Sequence, residues 1–221
     1  TIVILNVGSP VEMPWVNDVA AVVLAYYPGQ EAGHALASVL IGDVNPSGKL
    51  PVTFPQRYIE NPTLINYPGT REVRYGEGIF VGYRYYETKD VTPLFPFGHG
   101  LSYTTFNYSD LAVPAEIKQG DAFEVKVKVT NTGPVVGKEI VQLYVADKAS
   151  KLARPLKELK AFQKVDLSPG ETQEITFTLT PRDLSYYDPY AAQWVAEPGE
   201  FEILVGRSSA DIRVSGTVTL V

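Results

Sequence analysis

From Phe123 the chain alternates strictly: Phe123, Val125, Val127 and Val129 are apolar, while Glu124, Lys126, Lys128 and Thr130 are polar. A period of two belongs to a strand with one buried and one wet face. Asn131-Thr-Gly-Pro134 then supplies a turn, followed by Glu139-Ile-Val-Gln-Leu-Tyr-Val145, Leu159 to Val165 and a second turn at Ser168-Pro-Gly-Glu171. Gln173 to Thr180, Gln193 to Val195, Phe201 to Val205 and Ile212 to Leu220 continue the series, with Pro198-Gly199 as a further turn. The pattern predicts about seven short strands joined by turns.

The first hundred residues follow another rule. Thr1 to Val7 and Ala20 to Tyr26 are short, continuous apolar runs, separated by a stretch that Gly8, Pro10 and Pro14 break into a loop. Such runs suit buried parallel strands. After Pro28-Gly29, the segment Gln30 to Ile41 places Ala32, Leu36, Val39 and Leu40 at helical spacing, with Glu31 near the positive end of the dipole and Gly42 as a stop. From Asp43 to about Tyr103 the chain is rich in Pro, Gly and aromatic residues, and periodicity assigns no element there. A long ordered stretch of this kind belongs at an interface, over a site or between domains. The fold class that follows is an α/β fragment, a partial α/β sandwich, over residues 1–103 with its linker, and an all-β sandwich of the immunoglobulin or fibronectin type III-like kind over 104–221. Trp194 lacks the flanking cysteines of antibody domains.

Composition narrows the functions. A length of 221 residues accommodates two domains of roughly 100–150 residues each. The formal charge of −6 argues against a nucleic-acid binder, which needs clustered Lys and Arg to displace counterions. No apolar run approaches the roughly 20 residues of a membrane helix, so no membrane partner is expected. With no cysteine in the chain, disulfides, thiolate metal sites and thiol nucleophiles are excluded.

Chemistry is sparse. A metal site or a Ser-His-Asp triad would rest on His34 or His99, and His34 has no His or Glu four residues away in its helix. Both read as structural histidines. Phe97-Gly-His-Gly-Leu-Ser-Tyr103 opens like a glycine-rich nucleotide loop, but Tyr103 stands where the third glycine belongs, so its glycines read as a tight turn. Glycoside cleavage uses two carboxylates, and Glu12, Glu31, Asp43, Glu77 and Glu87 all fall in the first half. Glu31 has its helix dipole, Asp43 its turn, and Glu12 reads as a solvated loop charge. Glu77, between Gly76 and Gly78, is the one whose backbone could approach a ligand; a salt bridge or interface contact is the alternative. The tyrosines of Tyr83-Arg-Tyr-Tyr86 and Tyr186-Tyr187 suit an interdomain interface or a sugar-stacking face.

Several stretches, in order, resemble glycoside hydrolase family 3, chiefly its β-glucosidases: Gly8-Ser-Pro-Val-Glu-Met-Pro-Trp15, Tyr27-Pro-Gly-Gln-Glu-Ala-Gly33, Gly42-Asp-Val-Asn-Pro-Ser-Gly-Lys-Leu-Pro-Val-Thr-Phe-Pro55 and Pro93 to Tyr103. Val81 to Tyr86 belongs to the same pattern. Val129 to Gly133, with Leu159 to Gly170, is similar to the fibronectin type III-like domain that many members carry last. The resemblance implies a TIM-like barrel, then an α/β sandwich domain, then the fibronectin-like domain, and this chain would hold only the last parts. Its partners would be the missing N-terminal barrel and the first part of the sandwich domain, with a β-glucoside substrate in the intact enzyme. The family's nucleophile is a barrel aspartate, and its acid/base is commonly a glutamate in a segment before the strand resembling Thr1 to Val7. The resemblance therefore carries over no catalytic, cofactor-binding or metal-ligating residue, and implies no cofactor. It assigns Gly29, Gly33 and Gly48 to close backbone packing.

The implied function is the C-terminal structural part of a retaining β-glucosidase, inactive when isolated. An accessory module that binds carbohydrate or protein is the alternative. If Tyr144, Tyr186, Tyr187, Tyr190 and Trp194 line one wet face, binding gains; if they pack on the first half, scaffolding does. A third reading is a nicked chain that stays bound to its N-terminal remainder.

Overall fold

A computed structural model describes residues 1–221. The alternating segment forms β5 (Phe123–Asn131), with Val125, Val127 and Val129 fully buried. It is the centre of a three-stranded sheet between β3 (Phe106–Ala112) and β8 (Thr172–Leu179), antiparallel to both. Facing it is a five-stranded sheet in the order β4 (Glu116–Ile117), β12 (Asp211–Leu220), β11 (Gly199–Ser208), β6 (Gly137–Asp147) and β7 (Glu158–Leu167). The inner faces meet in one core that includes Val127, Leu143, Ile175, Phe201 and Ile203. This is a β-sandwich, as the turns and alternation predict. A short helix α3 (Pro181–Leu184) and a hairpin of β9 (Tyr186–Asp188) and β10 (Gln193–Val195) lie beside it. Trp194 stays half-exposed on that hairpin, outside the core.

The turn after β5 is built on Asn131, which is fully buried. Its Nδ2 donates to the carbonyls of Val135 and Leu167, both at 2.8 Å, and its Oδ1 accepts from Thr104 Oγ1 and the Gly133 amide. All four hydrogen-bonding positions of the amide are thus filled, which is what burial of such a group requires.

Residues 1–103 are organised differently. β1 (Ile2–Leu5) and β2 (Ala21–Leu24) pair in parallel, in the register Ile2 to Ala21 through Leu5 to Leu24. Helix α1 (Ala32–Ile41) follows and ends at Gly42 in the left-handed conformation, φ +88°, as expected of a glycine stop. The long unassigned stretch holds a 3-10 turn at Tyr58–Glu60, an isolated bridge between Phe54 and Phe95, and α2 (Tyr83–Thr88).

The two regions differ in what they bury. Met13, Phe54, Pro55 and Tyr86 are the only buried apolar side chains of residues 1–103, and neither β1, β2 nor α1 contains a buried residue. The apolar runs that predict buried parallel strands do form a parallel pair, but one whose faces no other layer of this chain covers. Leu40, Ile41, Val44, Ile59, Ile65, Val73, Tyr75 and Val81 are all exposed. Nothing here is a membrane span: no helix is long and apolar enough to cross one.

Candidate functional site

The feature best defined by geometry is the seam between the two regions, and β6 shows how it arises. Val141, Leu143 and Val145 face the sandwich core, while Gln142, Tyr144 and Ala146 on the opposite face are buried as well. A strand covered on both faces loses its alternation, and Glu139 to Val145 indeed reads as a nearly continuous apolar run. The cover comes from residues 1–103. Tyr83 stacks on Phe97 with centroids 5.0 Å apart, meets Tyr144 edge-on at 5.9 Å, and accepts a 2.7 Å hydrogen bond on its hydroxyl from the Leu159 amide. The Tyr144 hydroxyl donates to Gln142 Oε1 at 2.6 Å, and Gln142 Nε2 donates to the carbonyls of Gly98 and Arg207.

Charged residues close the same seam. Lys49 Nζ lies 2.9 Å from Glu139 Oε1 and donates to the Gly100 carbonyl at 2.9 Å, with both side chains nearly buried. Lys157 pairs with Glu87 at 2.7 Å, and Arg84 with Glu158 at 3.1 Å. Asn45 donates to the Val136 carbonyl and accepts from Ser102 Oγ and the Tyr103 amide. Two glycines are required by proximity: a Cβ on Gly98 would lie 2.1 Å from Gln142 Oε1, and one on Gly100 would lie 2.2 Å from the Gly48 carbonyl oxygen. The glycines of Phe97 to Tyr103 therefore serve close packing at a turn. By contrast, a Cβ on Gly29, Gly33 or Gly48 would meet nothing within 4 Å, so contacts within this chain do not require glycine at those three, although the Gly48 carbonyl is itself packed closely on Gly100. Gly29 instead takes φ +73°.

The candidate chemical residues do not converge. His34 is exposed in the first turn of α1 and its Nδ1 sits 2.8 Å from Oε2 of Glu31, the residue just before the helix. His99 lies far from His34 along the chain, in the turn at the seam between Gly98 and Gly100, stacked on Phe95 at 5.1 Å; burial, with Lys49 and Arg207, pushes its imidazole below the ordinary value, and Asp211 opposes them. Glu12 accepts a hydrogen bond from the Tyr58 amide across the first region. Asp43 is exposed in the bend after α1. Glu77 is half-buried and makes no ion pair within this chain, which leaves an interface contact as the alternative to a ligand role. Glu87 is committed to Lys157. No three His, Cys, Asp or Glu side chains come close enough to hold a metal ion.

A glycosidic general acid needs a carboxyl with a raised pKa. The carboxyls whose pKa departs from the ordinary range, Glu60, Glu158, Glu197 and Asp211, are all shifted down. For Glu158, burial pulls upward and is outweighed by the Arg154 hydrogen bond and the charges of Lys160, Arg84 and Arg154.

The five aromatics that separate scaffold from binding module divide. Tyr144 is buried against Tyr83, as a scaffold requires; Tyr186 is half-buried with the Arg154 guanidinium 5.7 Å over its ring, and Tyr187, Tyr190 and Trp194 remain exposed around the β9–β10 hairpin. Tyr187 and Trp194 pair across the hairpin with ring centroids 5.4 Å apart.

Comparison with known proteins supplies what the residues alone leave open. Residues 1–103 match the glycosyl hydrolase family 3 C-terminal domain, and residues 139–209 match the fibronectin type III-like domain. The chain belongs to glycosyl hydrolase family 3. Within that family it is 54% identical over 227 residues to thermostable beta-glucosidase B of Acetivibrio thermocellus, covering 99% of this chain and 30% of that one. It is 49% identical over 218 residues to beta-glucosidase BoGH3A of Bacteroides ovatus, covering 96% of this chain and 29% of that protein. Among solved structures, the Kluyveromyces marxianus β-glucosidase in complex with glucose superposes with a TM-score of 0.93 at 43% identity, over 99% of this chain and 26% of that one. The Thermotoga neapolitana β-glucosidase 3B in complex with alpha-D-glucose gives 0.93 at 44%, over 99% and 31%. The chain thus spans less than a third of the length of these family 3 relatives. The order of motifs legible in the sequence is the family's, and so is the α/β part followed by a fibronectin-like sandwich.

Proposed function

We propose that this chain is the C-terminal structural part of a retaining β-glucosidase, which hydrolyses terminal β-D-glucosyl residues through a covalent glycosyl-enzyme intermediate. On this reading the chain divides near residue 103. Its own carboxylates perform no step of the chemistry. The nucleophile and the acid/base belong to the N-terminal barrel and the first part of the α/β sandwich domain, which dock on residues 1–103.

The observation that carries the reading is the uncovered apolar surface of β1, β2, α1 and the loops after them, set on a region firmly joined to the sandwich. Exposed apolar surface of that extent, with open strand edges, calls for a covering layer. The fibronectin-like sandwich would hold that surface in place through the Lys49–Glu139 and Tyr83–Leu159 contacts.

The test is an aryl β-glucoside assay on the purified chain, alone and mixed with a separately produced N-terminal polypeptide of the same enzyme. The chain alone is expected to release no nitrophenol, and the mixture is expected to recover turnover. Hydrolysis by the chain alone overturns the proposal.

An accessory binding module is the second reading, favoured by the exposed Tyr187, Tyr190 and Trp194. As a platform for neutral sugar, however, Trp194 already has the Arg182 guanidinium over its ring.

A further inference from the structure

Beside the β9–β10 hairpin lies an open groove of about 430 Å³, walled by α3, the start of β7 and the Arg84 side of α2. Four cations line it, Arg84, Arg154, Lys160 and Arg182, against two carboxylates, Glu158 and Asp183. Most of these charges are spent. Arg154, nearly buried, donates to Asp147 Oδ2 at 2.9 Å, to the Leu184 carbonyl at 3.1 Å and to Glu158 Oε2 at 2.7 Å. Arg84 takes the other oxygen of Glu158. Asp183 accepts from the amide and hydroxyl of Thr180 at the start of α3.

Two cations are left with unused donors. Lys160 Nζ, on a side chain only 14% exposed, reaches Glu158 Oε2 at 3.5 Å, the outer limit of a hydrogen bond, and Arg154 already holds that oxygen closely. An ammonium has three donors. Burial lowers the Lys160 pKa, Glu158 opposes that, and Arg154 adds to it, as expected of a half-desolvated charge short of partners. Arg182 makes no ion pair; its guanidinium lies over Trp194, which leaves the in-plane N–H groups free at its rim. With Asp147 included, the cluster carries one positive charge more than its carboxylates balance. Around it, Tyr187 and Trp194 each expose about half their surface.

We infer that this groove is a binding site for an acidic monosaccharide unit, a uronic acid, whose carboxylate is held by Lys160 and Arg182 and whose ring rests against Tyr187 and the open edge of Trp194. A carboxylate accepts charge-assisted hydrogen bonds from both cations and removes the local excess. A pyranose ring offers C–H faces to the aromatic wall. The inference does not rest on the function proposed above. The chain's net charge of −6 works against an anion only at distances that salt screens, beyond about 10 Å at 0.1 M.

The probe is glucuronate, titrated into the 221-residue chain with Trp194 fluorescence as the readout, beside glucose and acetate at equal concentrations. Saturable quenching by glucuronate, with weaker effects of glucose and acetate, is expected. Lys160→Met and Arg182→Gln should each weaken binding about tenfold, the loss of one charged hydrogen bond, and Lys160→Arg should retain it. Arg182 is exposed, so its variant reports on the site even if Lys160→Met lowers the melting temperature. Equal response to glucose overturns the anionic part of the inference, equal response to acetate overturns the sugar part, and no response to glucuronate overturns it entirely. Loss of glucuronate binding on adding the N-terminal polypeptide would assign the groove to a carboxylate of that polypeptide and likewise overturn it.

Discussion

Lys49 and Glu139 form a 2.9 Å ion pair between a loop of the first region and the start of β6, both side chains nearly out of solvent, with the Lys49 ammonium also donating to the Gly100 carbonyl and a Glu139 oxygen accepting from the Ile140 amide. A buried pair is weak evidence of net stabilisation, but removing one member strands the other's charge. Lys49→Met should therefore cost about 3 kcal/mol, and Lys49→Met with Glu139→Gln together clearly less than the two single changes added. Urea unfolding of the four proteins of that cycle measures it, and additive effects would mean that the pair does not couple the two regions.

Close approach at the seam sets Gly98 and Gly100 apart from Gly48. A Cβ at Gly100 meets the Gly48 carbonyl oxygen, which is backbone. At Gly98 it meets the end of Gln142, a side chain pinned by Tyr144 and by two carbonyls, and the residue also has φ +81°. Gly98→Ala and Gly100→Ala should each destabilise by about 1–3 kcal/mol, the usual cost of overpacking with strain. Gly48→Ala, with nothing within 4 Å, should stay within about 0.5 kcal/mol of the parent. Thermal melts of the three variants decide it.

Acid should destabilise the chain over two identifiable pH ranges. His99 has a lowered pKa, so the unfolded chain binds its proton more readily, and stability falls as pH drops below the ordinary histidine value of 6.5. Glu158 is also held down, so its contribution is complete above the ordinary value near 4.5 and is lost as pH falls below it. Both effects have the same sign: the chain is more stable at pH 7 than at pH 4. In denaturant melts across that range, His99→Gln should flatten the slope just below pH 6.5 and Glu158→Gln the slope below 4.5. An unchanged profile in His99→Gln would remove the histidine from the account.

Much of this architecture is legible in the chain itself, for reasons that also explain what is not. The alternation of Phe123 to Thr130 survives because β5 has one wet face. The broken alternation of Glu139 to Val145 is the trace of a strand covered twice, a signal for the seam that lies in the sequence even though its covering residues do not. β3 has buried Phe106 and Tyr108 but sits directly after the linker with only a short alternating run, and it escapes periodicity. Asn45 and Lys49 stand in a motif shared with the family, yet their partners Val136 and Glu139 are some 90 residues away, and no local rule joins them. The charged groove was illegible for the same reason: Arg84, Lys160 and Arg182 come from three separate elements.

The exposed apolar surface of residues 1–103 yields the prediction that bears most directly on function. Ile65 is 91% exposed and Tyr75 88%, so neither contributes to the stability of this chain through burial. Ile65→Asp and Tyr75→Asp should leave its melting temperature unchanged, as substitutions at exposed positions generally do within about 0.5 kcal/mol. If that surface is where the N-terminal polypeptide docks, the same changes bury an unpaired carboxylate in the assembled enzyme, which costs several kcal/mol. Recovery of β-glucosidase activity on mixing should then fall at least tenfold with an unchanged melting curve. Equal recovery by the variants and the parent would mean that this face is not the docking surface, and the covering layer would have to be sought on β1, β2 and α1 alone.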